Sequence, residues 1–196
     1  MAIDDYIKAQ KSGIKAYKAA VAAGTSPYLP VLDEILTHAQ IDGEMPMGIC
    51  TIPLDQVVGT CPFGRTTSFA SNFMPLLDED SEFAAKWISL CADHLSDVGI
   101  HTPIECFEYL GNFYVQEGNK RVSVLRHFGA ARIAANVKRI MPINDDSPRV
   151  KAYFEFLEFY KATGLYDVQF REPGDYEKLV AYLGKDMSQT WTEREQ

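Results

Sequence analysis

The sequence predicts an α+β protein, on three observations. Segments near both ends carry apolar residues at helical spacing. The middle of the chain switches to two short runs of strand-forming residues around a Leu110-Gly111 turn. A strand-turn-helix-strand unit follows, without the repeated βαβ pattern that a doubly wound sheet requires.

Taken in order, Ile3, Tyr6, Ile7, Ile14, Tyr17, Ala20 and Val21 recur at helical spacing, interrupted at Gln10 and stopped by Gly24. A second helix is expected from Leu29 to Ala39, with Leu32, Ile35 and Leu36 inward. Gly43, Pro46 and Gly48 make residues 40–48 a loop, and a short strand, broken near Pro53, is expected within Ile49 to Val58. The clearest helix runs from Ser81 to Val98, capped by Ser81 and carrying the stripe Phe83, Trp87, Leu90, Cys91, Leu95 and Val98. Ile104 to Tyr109 and Asn112 to Gln116 read as a hairpin. Asn119 to Phe128 has helical spacing through Val122, Leu125 and Phe128, Gly129 ends it, and Ile133 to Ile140 reads as a strand. Beyond the polar linker Pro142 to Pro148, a helix (Val150 to Thr163), a strand (Tyr166 to Phe170) and a helix (Tyr176 to Leu183) are expected. The organisation is an N-terminal helical segment (1–48), a core (49–141) and a helix-strand-helix extension (142–196).

Composition excludes several classes. At 196 residues and 46% hydrophobic, the chain can bury a real core and is not disordered. No run approaches the ~20 apolar residues of a membrane span, so no membrane partner is expected. The acidic start, Asp4-Asp5, is neither a secretory signal nor a transit peptide. Cys50, Cys61, Cys91 and Cys106 form no C-x-x-C, which predicts reduced thiols and a cytoplasmic location.

The net charge of −8 argues against a nucleic-acid sleeve, so DNA is a disfavoured partner. Residues 116–141, however, hold Lys120, Arg121, Arg126, Arg132, Lys138 and Arg139 against Glu117 alone. A basic island this short suits a compact anion, or else a cationic face paired with the protein's own carboxylates.

Three constellations could carry chemistry. In Tyr114 to Arg121 a strand ends, Gly118 permits a sharp turn, and Lys120 and Arg121 occupy the first turn of a helix. Free N–H groups and the positive end of the helix dipole converge there, which makes an anion site. Second, Gly99-Ile100-His101-Thr102-Pro103-Ile104 leads from the long helix into the hairpin, where a loop can lie along a base or ribose. Third, Gly59 to Thr66 fits a P-loop except that Arg65 replaces Lys. An arginine is not an equivalent point charge and no magnesium-holding strand follows, so Arg65 is retained only as a phosphate-reaching cation. Nucleophile and metal signatures are lacking: there is no G-x-S-x-G, and His38, His94, His101 and His127 are scattered.

The order of these elements resembles the ParB/sulfiredoxin superfamily over about residues 50–140. Gly99, Pro103 and Ile104 match its first motif. Gly118 and Arg121 match its second, with Asn119 and Lys120 in the variable middle, and Ile52 to Val58 with Arg65 beyond is similar to its first strand. The resemblance implies a mixed-sheet core with flanking helices. It implies a nucleotide pocket formed by Gly99, Thr102, Pro103, Ile104, Gly118, Asn119, Lys120, Arg121 and Arg65. The ligand would be a nucleoside phosphate, CTP or ATP/ADP, with Mg2+. Glu117 would serve as a catalytic carboxylate if hydrolysis, or phosphoryl transfer like that of related serine kinases, takes place. Asn119 stands where sulfiredoxins have their catalytic Cys, which argues against that activity. No helix-turn-helix follows the core. The rival expectation is a degenerate module that binds a metabolite or a protein through exposed aromatics between Tyr153 and Tyr160, and a homodimer is a further partner expectation.

Overall fold

A computed structural model describes residues 2–61 and 67–192. Its elements are α1 (Ala2–Ala22), α2 (Leu32–Leu36), β1 (Ile41–Pro53), β2 (Val57–Thr60), α3 (Glu82–His94), β3 (Ile104–Tyr109), β4 (Asn112–Glu117), α4 (Asn119–His127), β5 (Arg132–Pro142), α5 (Pro148–Thr163) and α6 (Asp175–Tyr182). The α+β class is as expected. The sheet order is β1-β5-β3-β4-β2; β1 is antiparallel to β5, β3 antiparallel to β4, and the β5–β3 and β4–β2 pairs are parallel.

One sheet face carries the main core. Ile104, Cys106, Phe113, Val115, Ala135 and Val137 pack beneath Val122 and Leu125 of α4, Phe156 and Phe159 of α5, and Tyr176 of α6. Fully burying each such large apolar side chain contributes about 1.5–3 kcal/mol. Outside α4 lies a second cluster, where Tyr6 of α1 meets Trp87 of α3 edge to face at 5.4 Å. Val124 of α4 joins this cluster, and Trp87 Nε1 donates to Ser123 Oγ at 2.9 Å. Helix α4 is therefore buried on two sides, which fixes the position of its N-terminus. Gln10, an interruption in the apolar stripe of α1, donates through Nε2 to the Leu77 carbonyl that Tyr6 OH also reaches.

Four expectations are corrected. The loop expected over residues 40–48 is, from Ile41 on, the first half of β1, and the strand stays paired with β5 through register shifts at Ile41/Gly43 and Pro46/Gly48. Pro46 is tolerated because β1 is an edge strand. The second helix is confined to Leu32–Leu36, since Tyr28 and Val31 are drawn into extended bridges with Ala70 and Thr60. Tyr166 to Phe170 is irregular rather than a strand; the Phe170 N–H donates to Tyr176 OH at 2.9 Å instead of to a neighbouring strand. Finally, the aromatics of α5 are not an exposed face: Tyr153, Phe156 and Phe159 are core, and Phe154 and Tyr160 are half-buried.

Candidate functional site

The turn from β4 into α4 opens on a cleft of about 620 Å³. Helix α3 forms its far wall with Phe83, Lys86, Ser89 and Leu90, Ser68 and Phe69 close one end, and Glu117 to Arg121 form the near wall. Gly118 makes the turn at φ 110°, and a Cβ there would lie 2.5 Å from Ile104 Cγ2. Only glycine satisfies both constraints. The first turn of α4 has no side-chain cap and no acidic residue, so its amides and dipole face the cleft.

The charges sort unequally. Lys86 Nζ lies 2.5 Å from Glu82 Oε1 on the exposed side of α3. That bond, with added pull from Lys120, holds the Glu82 carboxyl below its usual range. Lys120 Nζ sits 4.6 Å above the Phe83 ring, on the cleft wall. Asn119 is buried; its Nδ2 donates to Thr60 Oγ1 at 3.2 Å, while its Oδ1 accepts no hydrogen bond among the described residues.

Arg121 is employed differently from expectation. Its Nη1 donates to the carbonyls of Thr102 at 2.8 Å and Pro103 at 2.5 Å, and its Nη2 lies 3.5 Å from Glu117 Oε1. The guanidinium thus clamps the loop before β3 to the β4–α4 turn. The two motifs do come together, but Gly99, Thr102, Pro103 and Ile104 lie on the far side of this clamp and do not line the cleft. Arg65 lies outside the described residues. Gly59 belongs to β2, where a Cβ would meet Pro30 O at 2.3 Å, so its small size serves strand packing.

The basic island of the sequence does not form one surface. Arg126 is turned onto the Leu54 and Val57 carbonyls, Arg132 pairs with Asp167, Arg139 is buried with Glu108, and Lys138 lies over Phe107. Only Lys120 and Arg121 of the six basic residues reach the cleft. Sequence reasoning missed Phe83, Lys86, Ser89 and Leu90. Their helical spacing marks one face of α3, but nothing local says that α4 packs beside it.

The four cysteines are free, and among the described residues no group of three His, Cys, Asp or Glu side chains is placed to hold a metal. His94 packs on Phe128 at 4.8 Å, and no described helix is long and apolar enough to cross a membrane. Comparison of the chain with family models, with curated proteins and with solved structures gives no match.

Proposed function

We propose that the protein binds a nucleoside phosphate in the cleft between α3 and α4. The observation that carries this reading is the uncapped first turn of α4, fixed by burial on two sides and opening between Lys86 and Lys120. Amides at a helix N-terminus together with lysine point charges are what a phosphate requires. Phe69, Phe83 and Leu90 supply the apolar wall for a base or ribose, and the volume is that of a small-molecule pocket. The resemblance to ParB-like domains points to the same ligand class. Arg121 acts in this reading as a positioning residue.

The reading stops at binding, because Glu117, the carboxylate a phosphotransferase would use, is engaged with Arg121 in the clamp. Glu117 is also the sole acidic residue among the described residues lining the cleft. Magnesium would therefore arrive on the phosphates.

The test is a thermal-shift panel of ATP, ADP, CTP and GTP, with and without magnesium, on the parent and on a Lys86→Gln/Lys120→Gln variant. Ligand at ~100 times its dissociation constant adds about 2.7 kcal/mol, a rise of roughly 5–10 °C for a chain of this size. A shift for one nucleotide that the variant loses is the expected result. No shift for any nucleotide, or the same shift in the variant, overturns the reading.

A further inference from the structure

At the opposite end of β4 lies a second cleft, of about 670 Å³, between the β3–β4 turn, the first turns of α5 and residues 169–172. Its floor is aromatic: Tyr153, Phe156 and Tyr176 are buried and Phe170 is half-buried. Its rim carries Arg149 and Arg171, both exposed. Of the described arginines, Arg121, Arg126, Arg132 and Arg139 are all bonded to carbonyls or carboxylates. Neither Arg149 nor Arg171 has a hydrogen-bond acceptor or a carboxylate partner among the described residues, and both line this one cleft.

Three further features make the place ready for an anion. The first turn of α5 has no acidic residue and no side-chain cap, so the positive end of a 16-residue helix adds to the arginines. The walls are held in place: Gln169 Nε2 donates to the Gly111 carbonyl at 3.0 Å, and the Phe170 N–H donates to Tyr176 OH. Tyr153 OH donates to the fully buried Glu108 at 2.8 Å, which ties the floor to the sheet.

We infer that this cleft binds a small aromatic monocarboxylate. A guanidinium at the rim takes a carboxylate in two-point hydrogen bonds, and the aromatic lining, of which Phe170 is the accessible member, takes a planar apolar body. Glu172, the one carboxylate among the described lining residues, leaves a net charge of one positive unit at the rim. That matches a monoanion rather than a polyphosphate, and it separates this site from the α3–α4 cleft.

The experiment is a ligand-observed NMR titration of the full chain with indole-3-acetate, with indole and acetate as fragments lacking the charge or the ring. Arg149→Gln/Arg171→Gln is the test variant, and Lys11→Gln, on exposed α1 surface, is the control. Both arginines are exposed and have no partner among the described residues, so the test variant keeps its fold, which far-UV circular dichroism verifies. Saturable binding is expected, with a dissociation constant below about 1 mM. It should weaken at least about tenfold for indole, for acetate and for the double variant, and remain unchanged in the control. Lack of saturation up to about 10 mM, equal affinity for indole, or undiminished binding by the double variant overturns the assignment.

Discussion

Glu108 and Arg139 face each other in register on the parallel strands β3 and β5, with Arg139 Nε donating to Glu108 Oε2 at 2.5 Å and both side chains buried. Burial works most strongly against the Arg139 charge, but the Glu108 carboxylate together with the nearby Tyr153 and Tyr166 phenols outweighs it and holds the guanidinium above its ordinary value. The second oxygen of Glu108 accepts from the Gly111 N–H at 2.7 Å, so the same residue orders the hairpin turn. Replacing Glu108 by Gln leaves a buried, uncompensated cation. A loss of about 3–5 kcal/mol is expected in urea unfolding, and Glu108→Leu/Arg139→Met should recover most of it. A loss below about 1 kcal/mol for the single variant would show the pair to be dispensable.

The Arg121 clamp makes a prediction opposite to that for a phosphate ligand. Arg121→Gln removes two charge-assisted bonds to the Thr102 and Pro103 carbonyls, and a cost of about 1.5–3 kcal/mol is expected without any ligand present. Hydrogen exchange of residues 99–104 should quicken in step. Unchanged stability, with lost nucleotide affinity, would return Arg121 to the phosphates.

The elements legible in sequence are those whose signal is local. Leu110-Gly111 marks a hairpin because Gly111 takes φ 82°, and Ser81 marks the start of α3 because its hydroxyl accepts from the Ala84 N–H. The first half of β1 was illegible, since two bulges and Pro46 disrupt the alternation and an edge strand need not bury either face. Tyr166, Val168 and Phe170 do alternate, yet their backbone bonds go to side chains and no strand forms. At the site, the turn at Gly118 was readable from one glycine followed by two cations. The partner wall on α3 was not, because its contact depends on how Val124 and Ser123 dock against Trp87.

Gly118→Ala tests the turn itself. The methyl group would lie 2.5 Å from Ile104 Cγ2, and the backbone sits in a region that costs an L-residue about 1–2 kcal/mol before any clash. A total loss above about 2 kcal/mol is expected. Gly129→Ala is the comparison: φ there is 71° but a Cβ meets nothing within 4 Å, so only the conformational part should appear. Equal losses for the two variants would mean that the approach of Ile104 costs nothing.

Alkaline pH probes the buried phenols. Burial raises Tyr6 to about 12, and burial with the nearby Glu108 carboxylate raises Tyr153 and Tyr166 above the ordinary tyrosine value. Below about pH 10 these phenols are protonated in both states, and their contribution to stability is complete. As pH rises further the unfolded chain releases protons that the folded chain keeps, so stability falls. Each trapped phenol steepens the fall by up to about 1.4 kcal/mol per pH unit. Tyr153→Phe loses the bond to Glu108 and should be less stable than the parent by about 1–2 kcal/mol at pH 8. It also has one phenol fewer to trap, so the gap in urea midpoints should narrow steadily between about pH 10 and 11. A gap that stays constant across that window would show that Tyr153 ionises as readily in the folded protein as in the unfolded chain.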